Sequence, residues 1–195
     1  MRVNRLLVLC ALLAGQISFG QSRIGNILAD SALTLTRQVV HYDPNFYAIP
    51  YPNGDVFPNR GMCTDVIIRA FRKINVDLQQ RVCEDIIKYD KIDTTAADFK
   101  RPNTSVVHRC VPILMTFFER NAYTLENSYN PNDYHPGDIV CWRLEAGELH
   151  MGIVSRLRSD DNQRYLIIHN IGSGQTIDDM LFHYPIIGHL AYENF

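Results

Sequence analysis

The chain has 195 residues, of which 46% are hydrophobic and 21% charged, the proportions of an ordinary globular protein. That length supports one domain with a sizeable core, and those proportions argue against wholesale disorder or a fibrous repeat. A formal charge of -2 and a pI near 6.4 exclude the basic footprint of a nucleic-acid-binding protein.

Residues 1–20 read as a signal peptide. Met1 to Arg5 is a short basic stretch, Leu6 to Leu13 is apolar, and small residues at Ser18 and Gly20 suit cleavage before Gln21. The apolar run is too short for a comfortable span of about 20 residues; an uncleaved anchor is the alternative. Residues 21–195 then form a single domain, with 21–50 as an N-terminal helical and loop extension. No membrane span remains after cleavage, and the expected location is periplasmic or extracellular. Four cysteines survive processing, namely Cys63, Cys83, Cys110 and Cys141. They are too sparse for a disulfide scaffold, and no CxxC pair suggests zinc or thioredoxin-like chemistry.

From Gln21 to Asn121 the apolar spacing is mostly helical. Ile24, Ile27, Leu28 and Ala32 predict a first helix that ends before His41. His41 to Arg60 is rich in proline and reads as an ordered loop. Cys63, Val66, Ile67, Ala70, Phe71 and Ile74 share one face of a second helix, with Arg69, Arg72 and Lys73 elsewhere on it. A third helix is expected over Leu78 to Tyr89, then a polar loop from Asp93 to Ser105. A fourth runs from Val111 to Glu119 or Arg120, with Pro112 in its first turn. After Tyr134 the period shortens. Asp138 to Leu144, His150 to Leu157, Tyr165 to Ile171 and Gly188 to Tyr192 read as strands. Their short connections imply an antiparallel sheet. The fold class is therefore α+β, a helical N-terminal half packed on a C-terminal antiparallel sheet.

Cys63 carries the first chemical signal. In Gly61-Met62-Cys63-Thr64-Asp65 the loop gives way to helix, so the thiol sits at a helix N-terminus. Unpaired N–H groups and the helix dipole favour the thiolate there, and the same groups can stabilise an oxyanion. A buried structural cysteine is the competing reading. His150 opens one strand and His169 lies in another, each near a glycine, Gly152 or Gly172. If the strands pair, one imidazole can take the cysteine proton while the other orients that base.

The string Gly61-Met62-Cys63-Thr64-Asp65-Val66-Ile67-Ile68-Arg69-Ala70 resembles the signature of the DUF1287 family. So do Glu84-Asp85, His108-Arg109 with Val111-Pro112, and Pro136-Gly137-Asp138-Ile139-Val140. His150-Met151-Gly152-Ile153-Val154-Ser155, Ile168-His169-Asn170-Ile171-Gly172 and Gly188-His189 complete the pattern, in order, over about Tyr51 to Tyr192. That family in turn resembles the NlpC/p60-like cysteine peptidases and amidases, which share a papain-like arrangement. The resemblance implies Cys63 as nucleophile, His150 as base and His169 as third residue. It implies no cofactor or metal, and as partner a peptidoglycan peptide whose amide bond is cut. The wider group often has Asp-Cys-Ser-Gly around its nucleophile, where this chain has Met62-Cys63-Thr64-Asp65.

Two further residues are candidate oxyanion or substrate contacts. Tyr51, twelve residues before Cys63, can donate to an oxyanion or simply pack. Arg109 can clamp a substrate carboxylate with its planar fork, or pair with Glu84 or Asp85. Asp138 is expected to fix its Pro-Gly-Asp turn, and Cys83, Cys110 and Cys141 to pack, with a local disulfide as the alternative. Two rival functions stand beside the hydrolase. One is a non-catalytic wall-binding or envelope scaffold protein on the same fold. The other is a zinc hydrolase drawing on His135, His150, His169, His183 and His189, for which no HExxH or comparable spacing is present.

Overall fold

A computed structural model of the protein describes residues 24–90 and 102–193. The expected signal peptide and most of the expected loop after Asp93 lie outside the described residues. Helix α1 covers residues 24–35, and α2 (Cys63–Lys73), α3 (Leu78–Tyr89) and α4 (Val111–Asn121) follow, with a 3-10 turn at Val107–Arg109 before α4. Six strands then form one wholly antiparallel sheet in the order β3-β8-β4-β5-β6-β7. They are β3 (Tyr123–Thr124), β4 (Ile139–Arg143), β5 (Leu149–Arg158), β6 (Tyr165–His169), β7 (Thr176–Asp178) and β8 (Ile186–Ala191). The α+β class read from the sequence is the class observed. Among the described residues no helix is long and apolar enough to cross a membrane.

The sheet is covered on both faces, and the pleat decides which side chain goes where. Ile139, Cys141, Met151, Ile153, Ile168 and Leu190 point to the helices and join Leu28, Ala32, Val66, Ile67, Phe71, Leu114 and Phe118 in the main core. Val140, Trp142, Val154 and Ile167 alternate with them and pack under Tyr134, Met180 and Leu181 on the other face. Helix α1 is built into the main core through Leu28, Ala32 and Leu35, so this part of the 21–50 segment is structural.

The proline-rich loop contains two short strands that the sequence reading missed. β1 (His41–Tyr42) pairs in parallel with β2 (Arg60–Gly61), with Tyr42 opposite Gly61. Strands of two residues carry no readable period. Side chains from the helices fasten the rest of the loop. Arg69 and Arg72 both bind Asp55, and Arg72 also donates to the Gly54 carbonyl. Gln79 accepts from the Gly54 N–H and donates to the Pro50 and Thr104 carbonyls.

A buried ion pair locks the start of α2. Arg109 Nε and Nη2 each donate over 2.8 Å to the two carboxylate oxygens of Asp65. Its third nitrogen, Nη1, reaches the Asn45 carbonyl at 2.7 Å. Asp65 Oδ2 also accepts the Met62 N–H at 2.8 Å, closing the first turn of α2, and the Thr64 hydroxyl donates to the Arg109 carbonyl at 3.1 Å. Removing one partner of such a pair strands the other charge without solvent. Asp65→Ala is therefore expected to destabilise the protein by about 3–5 kcal/mol, measured as a lower urea midpoint. An unchanged midpoint would show that the pair does not hold this junction.

Candidate active site

Three elements converge on Cys63. The residue is the first of α2 and only 6% exposed, inside the main core. The helix packs chiefly on β5 and also touches β6. Backbone N–H groups of Met151, Thr64 and Cys63 itself act on the thiol to favour its thiolate, and the Met151 amide belongs to the peptide that follows His150. The start of α2 thus lies close enough to β5 for the Met151 N–H to influence the thiol. From the end of β6, Asn170 Nδ2 donates to the Gly61 carbonyl at 3.0 Å and ties β6 to the segment leading into α2.

The histidines meet as the strand pairing requires. His150 Nε2 lies 3.0 Å from His169 Nδ1, with the rings nearly perpendicular at 88°. Pairing of Ile153 with Ile168 sets His169 opposite Gly152. A Cβ added at Gly152 would sit 2.7 Å from Ile167 Cγ2 and 3.1 Å from His169 Cβ. The missing side chain is what lets β6 bring the His169 ring beside His150. Pleating sends the Met151 side chain toward the helices, whereas His150 shares the face of its cross-strand partner Trp142, 6.0 Å away between ring centroids. Sulfur and imidazole therefore approach the first residues of β5 from its two sides.

Burial dominates the electrostatics. It pushes the Cys63 thiol up to about 11 despite the three opposing backbone N–H groups, with the Asp65 charge adding to the rise. The lowered thiol expected from the helix N-terminus alone is thus corrected, because a site this dry penalises the thiolate more than the helix end stabilises it. Burial, followed by the neighbouring His169, takes His150 down to about 3. His169 is lowered by burial too, against a hydrogen bond and charge from Asp178 that act upward. Thiol and both imidazoles are neutral near pH 7.

Two sequence candidates stand elsewhere. Arg109 is 2% exposed with its fork committed to Asp65 and Asn45, which corrects its assignment as a substrate clamp. Neither expected carboxylate pairs with it; Asp85 binds Arg120 and Asn121 instead. Tyr51 lies in the turn of residues 51–53, whose neighbours are bound by Gln79 and by Arg72 in the last turn of α2. Tyr42 lies opposite Gly61, two residues before Cys63. It is 44% exposed, held beside Gly61 by the β1–β2 pairing, and its hydroxyl is raised by burial and by the Cys63 and Glu148 charges.

Sequence reasoning also missed Asp178, whose Oδ2 lies 3.0 Å from His169 Nε2. It sits on a strand of three residues, too short to show alternation. Asp138 does fix its turn, accepting the His135 N–H at 2.7 Å, and it also contacts His189 Nε2 at 2.9 Å. Cys63, Cys83, Cys110 and Cys141 are free thiols. Among the described residues, no group of three or more His, Cys, Asp or Glu side chains is spaced to hold a metal ion.

Residues 29–192 match the family described as "Domain of unknown function (DUF1287)". The uncharacterized protein YijF of Escherichia coli (strain K12) is 42% identical over 172 residues, which is 88% of this chain and 83% of that protein. Two solved structures are similar to this chain at low identity. An N-acetylmuramoyl-L-alanine amidase from Bacteroides uniformis ATCC 8492 superposes with a TM-score of 0.49 and 12% identity over 87% of this chain and 99% of its own. NlpC1 from Trichomonas vaginalis gives 0.45 and 13%, over 86% of this chain but only 44% of that protein.

The neutral state of the site makes a kinetic prediction. With the thiol raised to about 11, the thiolate fraction is small at neutral pH and grows as pH rises. Iodoacetamide alkylation of Cys63 should therefore accelerate about tenfold per pH unit between pH 7 and 10, since only the thiolate reacts. A flat rate over that range would instead reveal a thiolate–imidazolium pair already formed in the resting protein.

Proposed function

The chain belongs to the DUF1287 family, and on that premise we propose that it is an exported cysteine hydrolase cleaving an amide bond in a peptidoglycan stem peptide or crosslink. The observation that carries this reading is the place of Cys63 at the start of α2, which packs on β5, the strand whose His150 ring is hydrogen-bonded to His169. The substrate class follows the resemblance of the sequence motifs to NlpC/p60-like hydrolases. In the mechanism, proton transfer requires His150 Nδ1 to come within hydrogen-bond reach of the sulfur around the first residues of β5 once substrate is bound. His150 takes the thiol proton as sulfur attacks the amide carbonyl, then hands it to the leaving amine. Water hydrolyses the acyl-enzyme by the same base. His169 holds the ring of His150, and Tyr42 joins Tyr51 as a tyrosine that can contact the substrate. No cofactor enters these steps.

A wall-binding protein without hydrolytic activity is the second reading, and the burial of Cys63 favours it. The assay that separates the two follows amide cleavage in purified peptidoglycan and in soluble stem peptides, with EDTA present. Cys63→Ala should abolish release. His150→Ala should lower kcat by about a hundredfold or more, and His169→Ala by less, because an orienting group transfers no substrate proton. Equal release by wild type and Cys63→Ala would eliminate the cysteine mechanism. Binding to wall without cleavage by the wild type would establish the second reading.

A further inference from the structure

The contact between His169 and the edge strand extends the chain of hydrogen bonds beyond the two histidines. We propose that Asp178 is the positioning residue that fixes the proton arrangement of both imidazoles and thereby leaves Nδ1 of His150 as a bare lone pair. Its catalytic consequence rests on the hydrolase reading, while the arrangement itself does not.

The argument follows donor and acceptor capacity along the chain. A carboxylate can only accept, so at 3.0 Å the Asp178 Oδ2 fixes the proton of His169 on Nε2. A neutral imidazole with its proton on Nε2 has an acceptor at Nδ1. That atom lies 3.0 Å from His150 Nε2, which must then be the donor. Neutral His150 with Nε2–H has its lone pair on Nδ1, the only ring nitrogen left to accept a thiol proton. Without Asp178 the chain can run in either direction. Its reverse puts a proton on His150 Nδ1 and removes the base.

The surroundings suit this role. His169 is buried, so water does not compete for its nitrogens. The Asp178 side chain is 52% exposed, and substituting it disturbs little packing. Arg164, on the neighbouring segment, is engaged by Asp179 and Asp161. Gly152 leaves the space that brings His169 close enough to connect the two bonds.

The test uses the full chain with isotope-labelled histidine, reading the nitrogen shifts of both rings by NMR near pH 7. Signals are assigned with His150→Gln and His169→Gln. In the wild type both rings should carry the proton on Nε2. In Asp178→Ala, with folding verified by its melting transition, His150 should shift to a mixture containing the Nδ1–H form. On a cleaved wall substrate the same variant should lose about ten- to a hundredfold in kcat, the range typical of supporting partners, with KM nearly unchanged. A wild-type His150 protonated on Nδ1 would overturn the proposal. So would Asp178→Ala leaving both rings as they were, whatever happens to activity. If the wild type cleaves nothing, the hydrolase reading fails, and the NMR result still decides the role of Asp178.

Discussion

The geometry around Cys63 depends on one buried charge pair. Asp65 and Arg109 come from segments more than forty residues apart, and each is nearly inaccessible to solvent. Between them they take the Met62 N–H, the Asn45 carbonyl and two charge-assisted bonds. The start of α2, the turn before α4 and the loop carrying Tyr42 are thereby held against one another. A pair of this kind need not be more stabilising than a well-packed apolar substitute. What it contributes here is definition, because the first turn of α2 has one position relative to β5, and the sulfur is in that turn.

The same dryness that makes the pair effective shapes the chemistry. Charge separation between thiol and imidazole is disfavoured in the free protein by burial of both groups. Burial therefore works against a resting thiolate–imidazolium pair. On the proposed hydrolase reading, the burden falls on substrate binding, which has to bring the reacting groups together and supply polar partners for the developing charge. On that reading the Cys63 thiol stays protonated until the site is occupied.

Much of this was legible in the sequence wherever a periodic pattern was long enough. The apolar face through Val66, Ile67, Ala70 and Phe71 defines α2, and the run around His150 defines β5. The pairing of His150 and His169 followed from two strands joined by a short break. What escaped was set by long-range contacts or by elements too short to show a period. Arg109 finds Asp65 rather than the expected Glu84 or Asp85, which no local spacing reveals. Tyr42 and Asp178 lie on strands of two and three residues. The shift of the Cys63 thiol was misjudged in direction because a helix start is visible in sequence, while the depth at which the fold buries it is not.

The central claim is that His150 activates Cys63 once a peptide is bound, and a thiol-directed stem-peptide vinyl sulfone tests it directly. The bound peptide should align the two residues, and addition of sulfur to the vinyl group should leave one adduct per chain. Digestion and mass spectrometry should place that adduct on Cys63. His150→Ala should slow its formation strongly, and free stem peptide should compete. Modification spread among Cys83, Cys110 and Cys141, or a Cys63 adduct that forms at the same rate without His150, would contradict the account.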